Sequence, residues 1–85
     1  SGITPRGGAT SYVSDGIPLI RSQNVQMGYV ALEDVAFISP TIHAEMSRSK
    51  IHPGDVLLNI TGASIGRVAT FPPGIEEANV NQHVC

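Results

Sequence analysis

The sequence predicts an α+β domain dominated by β structure, built from short antiparallel strands and hairpins with one short helix. Three observations predict it. Apolar and polar residues alternate with period two over several segments of four to eight residues, the spacing of half-buried strands. Pro-Gly and Gly-Ala-Ser turn chemistry separates those segments. Only one place carries a helix-start signature, Ser39 followed by Pro40. No repeat, low-complexity tract or linker divides the chain, so a single domain is expected.

Each element has its own local reason. The opening stretch, with Gly2, Gly7, Gly8, Gly16 and Pro5, is loop chemistry around one aromatic, Tyr12. Ile17 to Ser22 is the first predicted strand. Val25 to Leu32 is the second, with Val25, Met27, Tyr29 and Ala31 on one side, joined to the first through Gln23 and Asn24. Val35 to Ile38 is a short third. At Ser39-Pro40 the hydroxyl can cap free N–H groups, and proline at the first helical position loses no hydrogen bond. A helix is therefore expected over Pro40 to Arg48, burying Ile42 and Met46, with His43 solvated. His52-Pro53-Gly54-Asp55 places Pro and Gly where a type II turn needs φ near −60° and then a positive φ. A strand is expected next over Asp55 to Thr61, with Val56, Leu58 and Ile60 on one face and Leu57, Asn59 and Thr61 on the other. Gly62-Ala63-Ser64 turns the chain, Ile65 to Phe71 returns it as a hairpin, and Pro72-Pro73-Gly74 ends the return. Asn79 to Val84 alternates again, Val80 and Val84 opposite a polar side of Asn79, Asn81 and His83.

Composition limits what such a domain can do. A chain of 85 residues buries only about 60 to 65 % of its unfolded surface, so the core is thin and a large self-sufficient enzyme fold is excluded. Five Lys/Arg against seven Asp/Glu give a net charge of −2, and no global basic field exists to hold a polyanion. Charged residues make up 14 %, well under the ~25 % of ordinary soluble domains, which suggests a surface that is partly covered in an assembly. The single cysteine, Cys85, supports no intrachain disulfide and points to a reducing, cytoplasmic setting. No apolar run approaches the ~18 residues of a membrane span, and the opening residues have no signal-peptide character, so no membrane association is expected. The chain lacks an initiator Met and stops inside a predicted strand. It is expected to be a segment of something longer, with the strand ending at Cys85 leaving an edge open to self-association.

Two motifs suggest catalysis or metal binding and fail on context. Gly62-Ala63-Ser64-Ile65-Gly66 matches the nucleophile-elbow pattern, which requires a helix immediately after it. The next residues are Arg67-Val68-Ala69-Thr70-Phe71-Pro72-Pro73, strand formers closed by prolines. His43-x-Glu45 and His83-x-Cys85 have no further partner at ligand spacing, so no metal site is expected. Polar side chains suited to nucleic acid instead cluster at strand ends and turns: Arg21, Ser22, Gln23 and Asn24; Thr61, Ser64 and Arg67; Asn79, Asn81 and Gln82. Arginine can read a guanine edge bidentately, and Asn and Gln an adenine edge. Arg6, in the Gly-rich opening loop, can reach a phosphate. Three arginine–phosphate contacts would give a salt slope of about −2.7, and about 40-fold weaker binding at 200 than at 50 mM salt.

The motifs Ser1-Gly2-Ile3-Thr4-Pro5, Gly16-Ile17-Pro18-Leu19-Ile20-Arg21, Phe37-Ile38-Ser39, Pro53-Gly54-Asp55-Val56-Leu57-Leu58, Gly62-Ala63-Ser64-Ile65-Gly66-Arg67-Val68-Ala69 and Asn79-Val80-Asn81-Gln82-His83 occur in that order. In this order they resemble the target recognition domain of type I restriction-modification specificity subunits. The resemblance covers essentially the whole chain, residues 1–85, but only the first part of such a domain, a partial DNA-methylase-specificity-type fold. Absent are the rest of that domain, the long helices that in the family separate two such domains, and the second domain. It implies a non-catalytic reader of double-stranded DNA that directs partner subunits to a bipartite target. The modification (methyltransferase) subunit would use S-adenosylmethionine to methylate adenine, and the restriction subunit ATP and Mg; this chain would need no cofactor of its own. Partner subunits gripping the backbone would reconcile an acidic chain with DNA binding. The residues expected at DNA are Arg6, Arg21, Ser22, Gln23, Asn24, Thr61, Ser64, Arg67, Asn81 and Gln82. One departure from the family is Tyr12-Val13, where paired aromatics are usual. The rival reading, resting on low charge, is a β-rich protein interaction module that binds no DNA.

Overall fold

The computed structural model describes Gly2, Pro5, residues 7–60, Gly62 and residues 65–85. Among the described residues, eight short strands and one α-helix form three layers. Strands β1 (Ile17–Ile20), β4 (Ala36–Ile38), β5 (Lys50–Ile51) and β8 (Ala78–Val80) make a sheet in the order β4-β1-β8-β5. Hairpins β2 (Val25–Gln26) with β3 (Tyr29–Val30), and β6 (Val56–Leu58) with β7 (Val68–Thr70), pack beneath it. Helix α1 (Pro40–Glu45) covers part of the other face.

The sheet is mixed, which corrects the all-antiparallel expectation: β1 runs parallel to β8, pairing Leu19 with Asn79 and Ile20 with Val80. Both faces of a parallel pair are normally covered, and period two assigns the cover. Ile20, Ala78 and Val80 face a cluster with Val25, Leu57, Ala69, Phe71 and Val84 from the hairpin side. Leu19, Ala36 and Ile38 meet Met46, with Ile42 and Tyr12 packed alongside. In the β6–β7 hairpin, Leu57 and Asn59 are buried to 1 % exposure, whereas Val56 is 65 % exposed and Leu58 39 %.

Three further expectations are corrected. The predicted strand Val25 to Leu32 is a hairpin, because Gly28 adopts φ +86° and reverses the chain. Met27 and Tyr29 consequently lie exposed while Val25 is buried. The predicted strand over Asn79 to Val84 ends at Val80, and Val84 makes an isolated bridge to Asn59. Strand β8 lies inside the sheet, and Leu58 exchanges backbone hydrogen bonds with Cys85 (2.9 and 2.7 Å). The edge expected to drive self-association is therefore paired. The Pro-Gly turn stands as expected: Asp55 N–H reaches the His52 carbonyl at 3.1 Å, with Gly54 at φ +92°.

The helix begins as predicted, with Ser39 Oγ accepting from Ile42 N–H at 3.2 Å and Pro40 in its first turn. It stops at Glu45 and tightens into a 3-10 turn over Ser47–Ser49, from which β5 starts at once. His43, expected in solvent, is 4 % exposed. The reason is Asn79, fully buried on the helix side of β8. Its Oδ1 accepts from Val80 N–H at 2.9 Å and from the Ser49 hydroxyl, while its Nδ2 donates to the Met46 carbonyl at 3.0 Å and to His43 Nδ1 at 3.1 Å. The backbone partners fix which end of the amide is which. His43 Nδ1 must then be an acceptor, so the imidazole is neutral with its proton on Nε2, 4.0 Å from Glu77 Oε1.

Burial, aided by Lys50 and more weakly by His52, holds the His43 imidazole below the ordinary value of 6.5, against the opposing pull of Glu77. A depressed histidine costs the fold nothing above its unfolded pKa and destabilises it progressively as pH falls from the unfolded pKa to the folded one, below which the loss is complete. Stability measured by urea unfolding should therefore decline below about pH 6.5, and His43→Gln, which keeps an acceptor for Asn79, should flatten that decline. An unaltered pH profile in the variant would contradict the assignment. At the β6–β7 turn, Gly66 has φ +90°. Gly66→Val, forcing a β-branched residue into that region, should lower unfolding free energy by about 2 kcal/mol or more.

Candidate nucleic-acid interface

Asn59 organises the polar end of the domain. Alternation along β6 points its side chain inward with Leu57, yet it stands where the strand leaves the apolar core. Its Nδ2 donates to the Ser22 carbonyl at 2.8 Å and the Val25 carbonyl at 3.3 Å. Its own backbone N–H donates to the Arg67 carbonyl, and its carbonyl accepts from Gly66 N–H, both at 2.9 Å. Next to it, Ile60 N–H donates to the His83 carbonyl at 3.0 Å. Three corners far apart in sequence, around residues 22–26, 59–60 with 65–67, and 81–84, thus meet at one end.

The first corner is a 3-10 turn over Ser22–Asn24. Asn24 is 3 % exposed and committed to it: Oδ1 accepts from Arg21 N–H and Nδ2 donates to the Ala31 carbonyl, each at 3.0 Å. Its amide holds the corner rather than facing outward. Gln23 is exposed, and Ser22 half-buried with its carbonyl on Asn59.

The two arginines of the described site residues differ sharply. Arg21 Nη2 donates to the Asp34 carbonyl at 2.7 Å, its guanidinium lies 5.6 Å from the Tyr12 ring centroid, and its Nε is buried without a hydrogen-bond partner. Beside it, Gln23, Asn24, Ala31, Glu33 and Asp34 line a cleft of about 150 Å³. Two carboxylates at that cleft disfavour a phosphate there. Arg67 leaves the β6–β7 turn half-buried, and its Nη1 donates to Gln26 Oε1 at 3.1 Å. Gln26 Nε2 in turn donates to the Gln23 carbonyl at 2.9 Å. Gly28 N–H donates to the Val68 carbonyl at 2.9 Å, closing the two hairpins together beside this chain of polar groups.

At the third corner Asn81 is half-buried, its Oδ1 accepting from His83 N–H at 3.1 Å. Gln82 is exposed, with Nε2 3.2 Å from His83 Nε2. Arg6, Thr61 and Ser64 lie outside the described residues. A strand, β7, and not a helix comes after the Gly62 to Gly66 turn, so the elbow pattern lacks the element that would make its serine a nucleophile. Among the described residues no group of three or more His, Cys, Asp or Glu is placed to hold a metal ion, and no helix is long and apolar enough to cross a membrane. Sequence reasoning missed Gln26. Its only signal was its place one residue before the Met27-Gly28 turn, hidden when residues 25–32 are taken as one strand.

Asn59→Ala would leave the Ser22 and Val25 carbonyls without their side-chain donor, at a cost of about 2–4 kcal/mol in unfolding free energy. Amide hydrogen exchange should accelerate more around residues 22–26 than in β5, distinguishing loss of this junction from general loosening.

No family model matches the chain. It is 39 % identical over 69 residues to a protein of Escherichia coli named "Type I restriction enzyme EcoBI specificity subunit". The similarity takes in 81 % of this chain but only 14 % of that protein, so the chain spans a small part of the relative it matches.

Proposed function

We propose that this chain is part of a DNA sequence-recognition domain of a type I restriction-modification specificity subunit, and that it contains no catalytic machinery. The observation that carries the reading is the convergence on Asn59 of three polar corners from distant parts of the chain, in a sequence similar to such a subunit. Gln23, Arg67 and Gln82, carried at those corners, have the donor and acceptor groups that base edges and phosphates require. Arg6, Thr61 and Ser64 belong to the same proposal through the motif resemblance. Asn24 and Asn81 serve it by shaping their turns, and Arg21 by bracing the first corner.

With a net charge of −2, the chain supplies selectivity more than grip. Modification and restriction subunits of a cytoplasmic complex would supply backbone contacts, the methyl transfer from S-adenosylmethionine and the ATP- and Mg-dependent steps, at a bipartite target. Replacing the matching 69-residue segment of the Escherichia coli relative with this chain tests the reading. The hybrid subunit, assembled with its modification partner, should methylate a different set of DNA sequences. Retention of the original sequence preference by an assembled, active hybrid would refute it.

A further inference from the structure

Resting on that reading, we infer that Arg67 is the arginine of this surface that meets nucleic acid, that Gln26 positions it, and that its ligand is a pair of adjacent acceptor atoms. A guanidinium has one side-on edge, Nε with Nη2, whose parallel N–H groups match two neighbouring acceptors. In Arg21 that edge is taken up by the protein itself: Nη2 donates to the Asp34 carbonyl at the surface, and Nε is buried without a partner. In Arg67 the opposite holds. Gln26 engages Nη1, while Nε and Nη2 make no hydrogen bond to the described residues and are not among the buried unpartnered atoms.

Gln26 can hold this orientation because its own amide is anchored. Nε2 is bonded to the Gln23 carbonyl, which fixes Oε1 as the end facing Arg67. The strand bearing Gln26 pairs with Tyr29, and the turn between them is bonded to Val68, the residue after Arg67. Both ends of the contact therefore stand on one framework, so less side-chain freedom remains to be lost when the edge engages a ligand. Guanine O6 with N7 and two oxygens of a backbone phosphate are the sources of such an acceptor pair in duplex DNA.

The test is selection from a pool of randomised DNA duplexes by the hybrid specificity subunit assembled with its modification partner, carrying this chain unaltered or with Arg67→Ala, Gln26→Met or both, with thermal unfolding of each recorded. If the edge meets guanine, Arg67→Ala should reduce discrimination at one base position by about 5- to 150-fold. If it meets phosphate, the selected sequence should stay the same while all duplexes bind more weakly and the salt slope falls by about one unit. In either arm, Gln26→Met should reproduce part of the loss, about 3- to 10-fold. It should add nothing once Arg67 is alanine, a non-additivity that a purely structural role of Gln26 does not produce. Selection and salt dependence unchanged by both single variants, in folded protein, would overturn the inference alone. Absence of any selected or retained duplex with the assembled hybrid carrying the unaltered chain would overturn the functional reading and this inference with it.

Discussion

A single buried amide ties the polar end of this domain together. The strands are two to four residues long, so their ladders satisfy few backbone groups, and the corners between them would carry unpaired carbonyls into the interior. Asn59 resolves this by donating to the Ser22 and Val25 carbonyls while its backbone closes the β6–β7 turn and bridges to Val84. Asn79 does the equivalent at the opposite face, joining α1, the following 3-10 turn and β8. Asn24 does so within the first corner. A thin core is thus supplemented by side-chain amides that take the place of missing ladder bonds.

This economy bears on the proposed function. Corners held by hydrogen bonds from buried groups have defined geometry despite their short strands, and defined geometry is what a base-edge reader requires. It also separates two kinds of polar residue that look alike as letters. Asn24, Asn59 and Asn79 are each 3 % exposed or less and face inward, whereas Gln23 and Gln82 are exposed at the same end. The arginines divide the same way. Arg21 is tied to Asp34 and Tyr12 on an acid-lined side, and Arg67 is steadied by Gln26 with donors left over.

The charge distribution suits the proposed role of choosing a sequence rather than holding the duplex. Few cations, a net negative chain and an acidic cleft beside Arg21 leave little long-range attraction for a polyanion. Contacts at hydrogen-bonding range, made by pre-oriented side chains, remain effective under those conditions because they do not depend on the field of the whole protein.

The sequence by itself determined the mostly β class, the helix start at Ser39-Pro40, the turn at Pro53-Gly54 and the β6–β7 hairpin. These rest on local rules: capping oxygens, the fixed φ of proline, the positive φ open to glycine and alternation with period two. The ordered motifs also pointed to the kind of protein that the Escherichia coli similarity supports. Only the tertiary structure decided that residues 25–32 fold back at Gly28, that β8 inserts parallel to β1 in the middle of a sheet, and that His43 is buried against Asn79. Strand order and the direction of pairing depend on contacts between distant segments, and alternation is the same for a central, an edge, a parallel or an antiparallel strand. Whether an asparagine, a glutamine or an arginine braces a corner or faces outward depends equally on what lies opposite it. Tertiary packing brings Gln26 to Arg67 across 41 positions, and no local pattern encodes that meeting.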